Sequence, residues 1–390
     1  MEPVISFAAV YLAIWIFITV AWWAFKAERY GVSGLPLYLI YRTTRFNNWI
    51  GKISAAWPRA WRTIWNLGIL TGVGSMAFIF YTLAKNLLNL FFRAEQAVSV
   101  QPIVPLPGLF VSFETFPYLV LALSIVVASH ELSHGIASLV DRVPLKSTGA
   151  FFAHVLMGGF VEPDEEKLSG AKNTTKLRVF AAGSFTNVVL GILCVFLLVN
   201  FPATIAPFYD VVGSGVQIGS IPDNLPAHSS GLRAGDTVTS INGTRISGLA
   251  DLRRYMSGVS PGQEVVIGTQ RGSFPVRTGA DQNNSTRAII GISDLTEDIL
   301  YNPKLPFLSS DFPNILLRAE FWLSIVLVSV ALINMLPMYP FDGDKFLETL
   351  LNVFGIRKTK QIRTVANVAA YSLLILNIGL SLLRFGFLRY

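Results

Sequence analysis

Residues 126–137 read Val-Val-Ala-Ser-His130-Glu131-Leu-Ser-His134-Gly-Ile-Ala. Two histidines four residues apart lie on one face of a helix, so both imidazoles can reach one metal ion. The carboxylate of Glu131, beside the first histidine, can reach a water on that ion. Zn2+ makes its water acidic near neutral pH, and a carboxylate that takes the proton prepares the water to attack a peptide carbonyl. The motif is short and arises by chance in soluble helices. Here it lies in an apolar run, where ionisable side chains are costly and point to function.

Two histidines and a water leave one protein ligand to find. Far along the chain, Asn334-Met-Leu-Pro337-Met-Tyr-Pro-Phe341-Asp342-Gly343-Asp344 ends another apolar run at prolines. Non-helical backbone at membrane depth is tolerated only around a cavity, so a carboxylate at this break can face the histidines. Asp342 is the first choice for the ligand and Asp344 the second.

These residues need elements to hold them, and the composition says which. Of 390 residues, 52% are hydrophobic and only 14% charged, with a mean hydropathy of +0.51. A soluble domain carries about a quarter charged residues, so the solvent is lipid. Apolar runs near residues 4–25, 65–92, 118–140, 177–201, 316–335 and 365–388 each approach the roughly 20 residues that span a bilayer. The first lacks a basic start and a cleavage site, and reads as a retained span. The single cysteine, Cys194, excludes an intramolecular disulfide and a CxxC site.

Loop charge orients the spans. Lys26, Arg29, Arg42, Arg45, Lys52, Arg59 and Arg62 follow the first span with almost no acid, which places that loop in the cytoplasm and the N-terminus outside. Tyr38, Tyr41, Phe46, Trp49, Trp57 and Trp61 are interleaved, as in a segment lying on an anionic leaflet. Between two spans this pattern favours the membrane over nucleic acid. Lys167, Lys172, Lys176 and Arg178, and later Arg357, Lys358, Lys360 and Arg363, fit the same orientation, so residues 208–313 are expected outside.

That outer region is polar, Gly-rich and β-patterned from about residue 211 to 294. Ser229-Ser-Gly-Leu-Arg-Ala-Gly-Asp-Thr-Val-Thr-Ser-Ile-Asn-Gly243 predicts a short helix capped by Gly235, then a strand with Val238 and Ile241 inward, then an Asn-Gly turn. The stretch resembles a PDZ domain. The resemblance implies peptide termini bound by strand addition, with Ile290-Gly291-Ile292 as the carboxylate-binding loop. His228 reads as a surface residue.

A metal motif inside a span, followed much later by Asn-x-x-Pro and Phe-Asp-Gly in another, is similar to the site-2 protease family of intramembrane zinc metalloproteases. The resemblance implies that His130, His134 and Asp342 bind one Zn2+ and that Glu131 is the general base. Phe341 stands where the family usually has Leu, and Ser133 where Gly is common. Ala182-Gly183-Ser184-Phe185-Thr186-Asn187 resembles the family's Gly-x-x-x-Asn segment, which offers Asn187 either as a catalytic amide or as interhelical glue. Asn334 carries the same ambiguity as a substrate contact. The Gly-rich stretch 149–163 matches a re-entrant β-hairpin that offers an edge strand to substrate, with Gly149, Phe151, Gly158 and Gly159 as contacts. His154 within it reads as structural.

The expected architecture is a polytopic α-helical membrane protein of about six spans, with a re-entrant β-hairpin and an inserted extracytoplasmic α+β PDZ domain. Its parts are residues 1–115, a catalytic core at 116–207 and 314–356, the PDZ region at 208–313, and a last span at 357–390. Expected partners are the lipid bilayer and membrane proteins with one transmembrane helix, and no nucleic acid. The other reading is a membrane-anchored PDZ adaptor with a non-catalytic metal site. A metal transporter would need more ionisable residues along several spans.

Overall fold

The structure, a computed structural model, describes residues 2–35, 38–108, 110–154, 156–281 and 284–387. It divides into two compact units, Met1–Val199 with Leu317–Tyr390, and Asn200–Leu316.

The first unit begins with α1 (Glu2–Ala24), a hairpin of β1 (Val32–Leu35) and β2 (Tyr38–Thr43), α2 (Arg45–Ala56) and α3 (Pro58–Phe92). Pro58 opens α3 where its missing N–H costs nothing. Next come α4 (Phe116–Val140), a hairpin of β3 (Leu145–Ala153) and β4 (Leu156–Pro163), α5 (Glu165–Ser169) and α6 (Asn173–Val199). Asp164 caps α5 by accepting the Lys167 N–H at 3.0 Å. After the second unit the chain returns through α9 (Phe312–Asn334), α10 (Asp342–Val353) and α11 (Thr359–Phe385).

Among the described residues, helices α3, α4, α6, α9 and α11 are long and apolar enough to cross a membrane, and Tyr11–Ala24 of α1 is a further apolar helical stretch. The protein is an integral membrane protein. The last expected span runs to residue 388, which lies outside the described residues.

Four antiparallel strands form one sheet in the order β1-β2-β3-β4. The sequence anticipates only the β3–β4 hairpin, with residues 26–62 lying flat on the membrane. Instead β2 pairs with β3, Ile40 opposite Phe151 and Tyr41 opposite Ala150. The outer edge of β3 is therefore occupied, and among the described residues the edges without a strand partner belong to β1 and β4. The interfacial character survives in α2, which buries Ile50 and leaves Phe46 and Trp49 exposed. Ile50 packs with Ile136 and Val140 of α4, so this surface helix rests on the helix that carries the histidines.

The second unit holds α7 (Phe201–Ile205), β5 (Tyr209–Gln217), β6 (Thr237–Ile241), β7 (Thr244–Arg245), α8 (Leu249–Ser257), β8 (Glu264–Thr269), β9 (Gly272–Arg277), β10 (Gly279–Ala280), β11 (Ala288–Ile289) and β12 (Thr296–Pro303). Its main sheet runs β12-β5-β6-β8-β9, with β7 on β6, and β10 pairs with β11. Alternate residues point inward along a strand, so Val216 and Ile218, and Val265 and Ile267, are fully buried in the core. Full burial of one such side chain is worth about 1.5–3 kcal/mol. Val238 and Ile241 are three apart yet both buried, because the pairing slips one residue between Val238 and Ser240. Asn242 and Gly243 both have positive φ, 48° and 79°, as a type I′ turn requires.

The short helix expected before Gly235 is absent; a 3-10 turn covers Pro226–Ser229, and turns follow. The Arg233 N–H goes to Asp236 Oδ2 at 2.8 Å instead of to a carbonyl four residues back. Gly231, at φ 88°, also takes the chain out of helical geometry.

Candidate active site

His130 and His134 sit one turn apart on the buried face of α4, their rings 4.7 Å apart and nearly perpendicular. Asp342 is the first residue of α10, where the chain turns after α9. One oxygen, Asp342 Oδ2, lies 3.0 Å from His130 Nε2 and 3.2 Å from His134 Nε2. Among the described residues, these three offer donor atoms all within 4.8 Å of one another. Donors on a tetrahedral zinc stand about 3.3 Å apart, and two imidazoles with one carboxylate are an ordinary zinc set. The residues present fit the ion.

Each ring is held from behind. His134 Nδ1 donates to the Val179 carbonyl of α6 at 2.6 Å, leaving Nε2 for a metal. Behind His130 lies the fully buried amide of Asn187, its ends 3.3 Å from His130 Nδ1 and 3.2 Å from Ser129 Oγ. Ser129 has one hydroxyl hydrogen, and Val126 O accepts it at 3.1 Å. A histidine that binds metal through Nε2 carries its hydrogen on Nδ1 and needs an acceptor there. Both demands are met when the amide oxygen faces His130 and the amide nitrogen donates to Ser129, and this is the orientation we assign. Gly183, one turn before Asn187, leaves the His130 ring its room, since a β-carbon there would stand 2.5 Å from Cε1 and Nε2.

Glu131 faces the sheet. Its Oε2 accepts the Val161 N–H of β4 at 3.3 Å. Val161 thus turns its N–H away from β3, and by the period of a strand Gly159 shares that direction. The outer edge of β4 therefore runs past the glutamate. A cleft of about 560 Å3 gathers His130, Glu131, His134 and Asp342 with Phe160, Val161 and Glu162 of β4. Asn334, Arg42 and Lys345 line the same cleft.

The other predicted residues fall elsewhere. A β-carbon at Gly149 would meet the Tyr41 carbonyl and the Phe160 ring, and one at Gly158 would stand 2.7 Å from Phe151 and 3.0 Å from Val127. Gly149, Phe151 and Gly158 thus set strand-to-strand and sheet-to-helix packing and do not line the cleft. Asn187 does not line it either. His154 holds a turn at φ 55°, with its carbonyl accepting from Trp15 Nε1 at 3.1 Å. Asp344 is outside the ligand group; Arg363 and Asn367 take its carboxylate. In the second unit, Ile290, Gly291 and Ile292 line a groove of about 890 Å3 with Leu252 and Met256 of α8. His228 is exposed beside Asp223.

Sequence reasoning overlooks Arg42, Phe160–Glu162 and Lys345 in the cleft. Arg42 stands over the Phe160 ring at 5.7 Å. The alternation of Tyr38, Ile40 and Arg42 is the signal for β2, but nothing local says that its partner is β3.

The profile of peptidase family M50 matches residues 118–377, which contain His130, Glu131, His134 and Asp342. A membrane-bound transcription factor site-2 protease homolog of Arabidopsis thaliana is 25% identical over 210 residues, covering 54% of this chain and 40% of its own length. An uncharacterized protein of Methanocaldococcus jannaschii is 26% identical over 267 residues, covering 67% of this chain and 65% of its own. A putative zinc metalloprotease of Agrobacterium fabrum is 24% identical over 160 residues, 39% of each. The chain thus spans less than two thirds of the length of these relatives. Among solved structures, the PDZ domain of an SdrC-like protein from Listeria monocytogenes is similar to 20% of this chain and matched over 86% of its own, at 27% identity and a TM-score of 0.19. With two thirds of its length matched by the profile, the chain belongs to peptidase family M50.

Proposed function

We propose that the protein is a zinc-dependent endopeptidase that cuts the transmembrane helices of membrane-anchored proteins. The observation that carries this reading is the single Asp342 oxygen 3.0 and 3.2 Å from the Nε2 atoms of two histidines on an apolar helix. His130, His134 and Asp342 would hold one Zn2+, and the bound ion supplies an acidified water and a Lewis acid for the scissile carbonyl. Glu131, adjacent to His130, takes the proton and returns it to the leaving amine. Asn187 and the Val179 carbonyl fix the two rings; Asn187 acts through His130 and not on substrate.

A helical substrate must unwind to expose a carbonyl. The outer edge of β4, where Gly159 and the Val161 carbonyl are directed outward, offers hydrogen bonds to such an extended segment. Asn334, at the end of α9 and on the cleft wall, is the side chain we assign to meet its backbone. By loop charge the N-terminus and the second unit lie outside and the metal centre lies nearer the cytoplasm. The second unit then selects substrates that an earlier outer cut has shortened, through the groove lined by Ile290, Gly291 and Ile292 or by size.

The decisive experiment is Glu131→Gln. The variant should keep its zinc and lose cleavage of a membrane-tethered substrate by about 10²–10⁴-fold. Undiminished cleavage by the zinc-loaded variant would end the assignment.

A further inference from the structure

Asp342 hangs on a short connection, and its neighbours on both sides are tied to one face of α11. Three residues before it, Tyr339 gives its N–H to Asn367 Oδ1 at 3.0 Å, and its carbonyl accepts from the Tyr371 hydroxyl. Two residues after it, Asp344 is 1% exposed. It accepts from Arg363 Nε at 2.7 Å and from Asn367 Nδ2 at 2.8 Å. Arg363 also reaches Glu348 of α10 at 2.7 Å. Residues 363, 367 and 371 are successive i, i+4 positions, so they form one stripe along the helix.

The Asn367 amide has no idle atom. Its oxygen takes the Tyr339 N–H, and its two hydrogens go to Asp344 and to the Arg363 carbonyl at 3.0 Å. The opposed demands of a backbone donor and a carboxylate acceptor leave one orientation open to it. One side chain thus joins the backbone upstream of the ligand to the carboxylate downstream of it. Among the described residues Asp342 has no hydrogen bond of its own to α11; its carboxylate meets His130 and His134. Its position is inherited from residues 339 and 344.

We infer that Arg363, Asn367 and Tyr371 are positioning residues that clamp the Asp342 turn in the metal-binding geometry. The inference rests on the reading of His130, His134 and Asp342 as a metal centre. Outer groups that orient ligands commonly change metal affinity by about 10–100-fold. A stripe on a separate helix does here what a carboxylate or carbonyl does for a metal-bound histidine.

The test uses the full chain in detergent, stripped of metal and titrated with Co2+, whose visible bands report ligand geometry. The variants are Tyr371→Phe, which removes one partly exposed hydroxyl, and Asn367→Leu. Both should bind Co2+ about tenfold or more weakly with altered bands, while the metal-free melting temperature of Tyr371→Phe stays at the wild-type value. Wild-type affinity and superimposable bands in Tyr371→Phe and Asn367→Leu would overturn the clamp alone, whatever their melting temperatures. Where Asn367→Leu does not fold, Tyr371→Phe decides. A wild-type chain that takes up no Co2+ would overturn the metal centre and the clamp together.

Discussion

Gly183 of α6 touches the metal-facing edge of His130: a β-carbon there would lie 2.5 Å from Nε2, the atom that faces Asp342. His130 is buried and its Nδ1 edge is tied to Asn187, so the ring can make room only by giving up the position that this bond fixes. Gly183→Ala should therefore displace His130 and weaken zinc binding by about 10–100-fold, measured by competition with a chelating dye. Gly74, where a β-carbon meets nothing within 4 Å, is the control; Gly74→Ala should bind zinc like wild type.

Asn187 separates two roles that one amide can play. As a positioning group it needs only an acceptor for the His130 Nδ1 hydrogen. Asn187→Asp keeps that acceptor and should retain zinc within about threefold, whereas Asn187→Leu should lose about 10–100-fold. An amide that stabilised the reacting carbonyl would leave zinc affinity alone in both variants and show only in turnover.

The candidate metal centre is legible in the sequence because its parts are local or chemically costly. His130 and His134 share a helical period, and Asp342 sits where prolines break a span, so lipid makes each of them conspicuous. The sheet is not legible. Ile40 meets Phe151 across more than a hundred residues, and a pairing of that kind leaves no mark in either segment. Residues 32–43 therefore read as interfacial chain, and either strand of the 149–163 hairpin as an available edge. The polar stripe of Arg363, Asn367 and Tyr371 is hidden for a different reason: at i, i+4 spacing it looks like the solvated face of any last span. In the second unit, Val238 and Ile241 break strict alternation, and only the slipped register explains why both are core.

Asp236 gives the second unit a pH signature. The hydrogen bonds from Arg271 Nε, at 2.5 Å, and from the Arg233 N–H hold its carboxyl below the usual value of 3.8. The unfolded chain then binds the extra proton first, so this stabilisation is complete above about pH 4. It is lost as pH falls through the lower folded value. Hydrogen exchange of amides in residues 200–316, corrected for the intrinsic rate, should show protection falling below pH 4. Asp236→Asn should start less protected and flatten that acid limb.

Selection by the second unit makes the boldest demand on the chain. Its groove beside Ile290, Gly291 and Ile292 is lined by Leu249, Leu252 and Met256 of α8, with Arg253 on the same lining. A cleft that sets apolar side chains beside Arg253 and Arg287 suits the end of a cut peptide, whose carboxylate needs a positive or N–H-rich partner. Residues 211–294, which lie wholly in the second unit, are replaced with a short flexible linker, while His130, His134 and Asp342 belong to the first. Cleavage is then compared for two tethered substrates that differ only in the presence of a folded outer domain. Wild-type protein should cut the short one in strong preference, and the deletion should cut both at similar rates. If the preference survives the deletion unchanged, selection resides in the membrane helices, and the second unit has another task.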